Sequence, residues 1–324
     1  MKIRNAVFLH FCFVVLAGSA AWGQLITPTE TRNAALRYWQ AFAEMKDPPT
    51  DVPTREAMEK IVWRDAEWDE AKLGAIITQN EEALGIMQRA TKLPDCDWGL
   101  EYSQGPWTSI AMLPRAHVLA RLNTLYGIRE LSLGHTQAAV DAWIAGFRFS
   151  EDLAKGGSMA FAAAARGNLR EKMHTLAYAV NQGRFNASQK KQLRAAISAM
   201  REDGVDWSLA WQMESLGMHV LAVELRQSAK PKSFYESLMG DAAPGDCLRP
   251  TDEQLKPFDA YLADIASALK LPPPAAKQRI AELEGKKQTI CEALRRAIPN
   301  ASRSNDERAD TIAQRKSLLD ALGQ

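Results

Sequence analysis

The chain lacks an excess of charge of either sign: 40 Lys and Arg stand against 39 Asp and Glu in 324 residues. A balanced, well-mixed surface gives no electrostatic basis for nucleic acid or an anionic membrane as a partner. Long apolar runs are missing beyond residue 23, and none approaches the ~20 residues of a spanning helix, so no stable membrane span is expected. Sequence signatures of serine hydrolases (G-x-S-x-G), dinucleotide folds (G-x-G-x-x-G), P-loops and zinc proteases (H-E-x-x-H) are absent. No cofactor and no metal are therefore expected. Cysteine is scarce, with four in the whole chain, which excludes a disulfide scaffold; the core must form by burial. Aromatic residues cease after Tyr261, and all nine Trp lie at or before Trp211. Because large rings dominate core burial, the main core is expected in the first 230 residues or so.

The N-terminus has the pattern of a secretory signal. Lys2 and Arg4 precede an apolar stretch from Ala6 to Leu16, and Ala21 and Gly23 satisfy the small-x-small rule for cleavage near Gly23. The mature chain would be periplasmic or extracellular. It would keep Cys96, Cys247 and Cys291, enough for one disulfide and one spare thiol in an oxidising compartment. Cys247–Cys291 is the preferred pair, because Cys247 falls in a loop next to the helical segment that holds Cys291.

Apolar residues recur at three-to-four-residue spacing almost throughout, without strand-type alternation, which predicts an all-α fold. Helices are expected over 31–43, 54–63, 70–91, 107–133, 136–153, 158–181, 188–203 and 207–226, and Asp206 is placed to cap the last of these. Pro231, Gly240, Pro244, Gly245, Pro250 and Pro257 punctuate the next stretch. The domains follow: a signal at 1–23, a helical core at 24–228, a linker or crossover at 229–257 and a C-terminal helical hairpin at 258–324. Thr251 with Gln254, and Ser304 with Glu307, are capping-box patterns for helices reaching about 270 and covering 306–322; a helix over 275–297 lies between them.

Residues 120–153 resemble one tetratricopeptide-type helical hairpin. With Gly134 on that family's turn glycine, Gly127 falls on the small position of the first helix. Ala139, Trp143 and Gly146 then take the small, aromatic and small positions of the second. Asn123, Glu130 and Glu151 depart from the pattern, and no second copy is in register. The resemblance implies antiparallel helical hairpins in an α-solenoid-like stack with a C-terminal extension, and binding of a peptide.

Four groups of residues carry candidate chemistry. The loop Asp95-Cys96-Asp97-Trp98 with Glu101 gathers acids and a thiol, but Leu100 and Pro106 occupy the positions where an EF-hand calcium loop needs Gly and an acid. A structural loop with Trp98 in the core is the plainer expectation; a binding loop is the sharper one. Arg115 and His117 follow on the next helix and join Asp95, Asp97, Trp98 and Glu101 as the candidate binding set. Glu171 and His174 form a single E-x-x-H, half of what a di-iron bundle needs, so a surface ion pair or a satisfied histidine is expected. Trp207 and Trp211 at helical spacing suit a core more than a groove. The expected function is that of a non-enzymatic binding or scaffold protein presenting a helical surface to a protein or peptide. The alternative is an enzyme or small-ligand carrier with an inter-helix pocket of dispersed polar residues such as Glu101, Arg115, His117 and His174.

Overall fold

The computed structural model describes residues 31–323 apart from Asp246. The expected signal at 1–23 lies outside the described residues. Several helices start where a side chain satisfies one of the first free amides. Asn33 caps α1 (Ala34–Glu44), Asp51 caps α2 (Val52–Val62) and Asp69 caps α3 (Glu70–Thr78). The expected single helix over 70–91 divides into α3 and α4 (Glu81–Ala90). The cause is Asn80, buried at the break. Its side chain donates to the Lys46 and Ile76 carbonyls (3.1 and 2.9 Å) and accepts from the Lys46 amide (2.8 Å), so it closes the chain end beyond α1 instead of extending a helix.

A 3-10 turn (Tyr102–Trp107) leads into α5 (Met112–Ser132), α6 (Thr136–Ala154), α7 (Met159–Asn181) and α8 (Ala187–Ala199). Next come α9 (Trp207–Gln227), α10 (Pro231–Met239) and α11 (Asp252–Ala268). The proline-rich stretch is thus partly helical: Pro231 opens α10, where a missing amide costs nothing, and Pro257 is tolerated inside α11. Asp206 caps α9, and Thr251 with Gln254 forms the expected capping box of α11. Helices α12 (Pro273–Lys287), α13 (Glu292–Ala297) and α14 (Ala301–Gly323) complete the chain. The last begins earlier than its pattern suggests, because the Asn300 side chain accepts from the Arg303 amide (3.0 Å). Ser304 is thereby drawn into the helix, where it accepts from the Trp211 indole (3.2 Å).

The described residues are helices and loops, with one isolated bridge between Asn33 and Asp95; the fold is all-α. Within α5–α8, α6 packs on α5, α7 and α8, and α5 also packs on α7. Other contacts join elements distant in sequence: α1 lies on α4, and α14 returns to α7, α8 and α12. Arg315 of α14 donates to the carbonyls of Ile197 and Ser198 at the end of α8 (3.1 and 3.0 Å). Arg308 pairs with buried Asp203 (3.0 Å). A stack held only by nearest neighbours would lack these closures. One apolar core joins Tyr38, Phe149, Phe161 and Trp211 to Phe258, Tyr261 and Ile265, so the segment after residue 257 shares the main core and does not merely lean on it. A second core fills the space between α6, α7, α8 and α14 around Trp143, Phe147, Leu176 and Ile197. Asn33–Gln324 cluster as one unit. Cys247 is disulfide-bonded to Cys291, with Cα atoms 5.9 Å apart.

Lys172 of α7 is wholly buried between these cores. Its Nζ donates to the Ala120 carbonyl (3.1 Å) and the Thr124 hydroxyl (3.2 Å), and its stem fills the space a Cβ at Gly146 would need. Burial lowers its pKa to about 8 from the ordinary 10.5. The folded state therefore carries the full cost of the buried charge below pH 8, and that cost fades as pH rises toward 10.5. Lys172→Met should be more stable than wild type at pH 7, with the advantage falling by about 3 kcal/mol between pH 8 and 10.5. Urea titrations across that range measure it; a pH-independent difference would show that the ammonium is not desolvated. The Cys247–Cys291 link, between residues 44 apart in sequence, closes a loop that the unfolded chain would otherwise leave free. In the chain-entropy view, Cys291→Ser should lower stability by roughly 2–4 kcal/mol, read by the urea midpoint.

Candidate binding site

Helix α6 supplies one face to a solvent-open groove and the opposite face to the core. Ile144, Ala145, Arg148 and Glu151 recur every three or four residues, so they line one side. The C-terminal end of α4 (Gln88, Thr91) and Lys92 form one wall, and Ala196, Ala199 and Met200 of α8 and its end form the other, enclosing about 410 Å³. The floor is apolar and the rim is charged. Glu151 lies partly buried; burial raises its pKa above the ordinary carboxylate range, while the Arg201 amide and Arg148 work the other way. The Arg201 amide donates to one Glu151 oxygen at 3.4 Å, and Arg148 approaches the other at 3.5 Å.

The neighbouring residue, Asp152, points the opposite way and is fully buried. Its carboxylate accepts from the Tyr38 hydroxyl and from Lys155, both at 2.7 Å. Its carbonyl accepts from the Trp98 indole at 2.8 Å and the Cys96 thiol at 3.7 Å. Burial and the Asp152 charge hold the Tyr38 phenol far above its ordinary pKa. The same causes push the Cys96 thiol up to about 12, which leaves it protonated and a poor nucleophile.

Trp98 is 6% exposed and stacks on Tyr38 and Phe42, with ring centroids 5.6 and 6.3 Å away. The Asp97 carboxylate accepts from the Gly99 amide at 2.9 Å, and its backbone exchanges two hydrogen bonds with the Asn33 side chain. The Asp95 carbonyl accepts from the Ala34 amide at 2.7 Å. These three residues thus brace the start of α1 against the end of α6. Arg115 works at the other end of α1, donating to the Phe42 and Met45 carbonyls and pairing with Asp47 at 2.5 Å. An 11-residue helix is roughly 16 Å long, so Arg115 and the 95–98 loop do not converge. Glu101 is exposed beside Gln104, and His117 is exposed on α5. His174 bonds the Trp63 carbonyl at 3.1 Å, while Glu171 turns to Arg121 at 2.5 Å, so the E-x-x-H pair is split between two partners. Trp207 and Trp211 are core residues. Among the described residues no group of three or more His, Cys, Asp or Glu gathers as metal ligands, and no helix is long and apolar enough to cross a membrane.

The α6 groove was not anticipated. Its signal, Arg148 and Glu151 one turn apart with Ile144 below, is present in the sequence but identical to that of an ordinary surface ion pair. Nothing in one helix reveals that α4 and α8 stand on either side of it. No family model, curated protein or solved structure matches the chain, so the groove must be read from its own chemistry.

Trp98→Ala should lower unfolding free energy by about 3–5 kcal/mol, because the ring fills a core site and its N–H serves a buried carbonyl. Lys92→Ala, at an exposed position on the groove rim, should cost about 0.5 kcal/mol or less. Equal costs in urea denaturation would contradict this division between brace and groove.

Proposed function

We propose that the protein is an exported, non-enzymatic binding protein that receives a peptide segment of a protein partner along the exposed face of α6. The observation that carries the reading is the 410 Å³ groove between α4, α6 and α8, with an apolar floor and an Arg148, Glu151, Asp141 and Lys92 rim. An apolar floor rewards burial of side chains, and rim charges of both signs set register more than affinity. The groove is bounded by helices whose positions are fixed from behind, so little reorganisation is needed on binding. The polar residues that an enzyme or carrier pocket would have drawn together are committed elsewhere: Arg115 to the end of α1, and His174 to Trp63. Export is supported by the N-terminal residue pattern and suits the Cys247–Cys291 pair.

The reading is tested by selecting binders from a displayed random peptide library against the mature chain. Ala199→Trp, which places a ring in the groove from an exposed position, should weaken the selected peptides by at least about tenfold. Leu133→Ala, exposed at the far end of α5, should leave them unchanged. Peptides that bind Ala199→Trp as well as wild type, or a library that yields no binder, would overturn it.

A further inference from the structure

A second cavity lies across the bundle, where the segment between α2 and α3 crosses α7. Helix α2 ends in a Schellman-type turn: the Arg64 amide donates to the Ile61 carbonyl (3.1 Å) and the Asp65 amide to the Lys60 carbonyl (2.7 Å). The residue closing this turn must be left-handed, a position that glycine takes at no steric cost. Here it is Arg64, with φ +65°. A non-glycine residue held in that region is a reason to ask what its side chain does.

The Arg64 side chain is 12% exposed and lies over the Tyr178 ring, with its guanidinium carbon 4.2 Å from the centroid. Among the described residues its buried Nε has no hydrogen-bond acceptor and its acidic contact is Glu67 at 3.2 Å, whose side chain is 81% exposed. The cation is thus largely desolvated yet only weakly neutralised. It lines a cavity of about 240 Å³ together with Glu67, Trp68, Trp143, Tyr178 and Arg184. The Trp143 indole is committed to Thr175 (3.1 Å), so that ring presents an apolar surface. Two guanidinium groups, of which Arg184 already donates to the Leu131 carbonyl (3.1 Å), three aromatic rings and the Glu67 carboxylate therefore line one small space.

We infer that this cavity is a binding site for a small carboxylate with a flat apolar body, held by the Arg64 guanidinium and the Trp68, Trp143 and Tyr178 rings. The planar fork of a guanidinium matches a carboxylate in two parallel hydrogen bonds, and the Tyr178 ring 4.2 Å away holds that fork at the cavity wall. The cavity volume limits the ligand to about the size of a single aromatic ring with a short acid arm. Glu67, being exposed, can swing away as the incoming carboxylate takes its place. The site is separate from the α6 groove and stands or falls independently of it.

The test uses phenylacetate as the probe, with phenylacetamide and inorganic phosphate as controls, in thermal-shift and calorimetric titrations of the mature chain at low salt. Phenylacetate should raise the melting temperature, and both controls should leave it unchanged. Arg64→Gly relieves the left-handed backbone, so it should fold with an undiminished melting temperature while binding phenylacetate at least about tenfold more weakly. Arg64→Gln, which keeps a side chain of similar reach without the charge, should lose binding to the same degree. Equal shifts by the acid and the amide, binding by phosphate as tight as by phenylacetate, no shift by phenylacetate, or full affinity in either variant would overturn the inference.

Discussion

The buried carboxylate of Asp152 is the interaction on which the arrangement of helices depends. An ionised carboxylate removed from water costs several kcal/mol unless its oxygens are satisfied. Near the C-terminal end of a helix, the backbone dipole adds to that cost. Both penalties are met locally: Lys155 in the following turn and the Tyr38 phenol each donate at 2.7 Å. The carbonyl of the same residue receives the Trp98 indole. One residue of α6 thereby fixes α1, the 95–98 loop and the end of its own helix. Because an acceptor left without its donors would be costly, these elements are held in one register relative to α6.

That constraint separates the two faces of α6. The face bearing Asp152 is closed by α1 and its loop; the face bearing Ile144, Arg148 and Glu151 stays open between α4 and α8. Helix α4 is itself carried by α1, against which it packs, and α8 is held by α14 through Arg315. The groove walls are therefore set by contacts that lie outside the groove. In the proposed binding role, a rigid scaffold behind an open polar-rimmed face would spare folding energy at each encounter. Lys172 and Gly146 act in the same sense on the α5–α7 side: the bulky, desolvated stem of one needs the missing side chain of the other, which fixes how closely α7 approaches α6 at that point.

Much of the architecture was legible in the residue pattern, because helical periodicity, caps and glycine stops act over a few residues. The α6 boundaries, the Thr251 capping box and the Asp206 cap follow from local chemistry. The break between α3 and α4 was misread because it rests on a side chain whose partner is remote in sequence. Asn80 ends a helix because of Lys46, 34 residues away. Asn300, not Ser304, starts α14, and Ser304 is then available to Trp211, 93 residues away. The site was less legible for the same reason. The 95–98 loop drew attention for its acids and thiol, and the structure shows these residues as the brace behind α6. The Arg64 cavity gave a weaker signal still, since an arginine where a helix-ending glycine is usual carries no distinguishing pattern until the turn is seen.

The most direct test is a double-mutant cycle between Tyr38→Phe and Asp152→Ala, read by urea unfolding at pH 7. The pair is close, buried and charge-assisted, so a coupling of about 1.5–3 kcal/mol is the predicted result. A coupling within about 0.5 kcal/mol of zero would mean that Asp152 does not hold α1 to α6, and the account of how the groove is formed would fail with it.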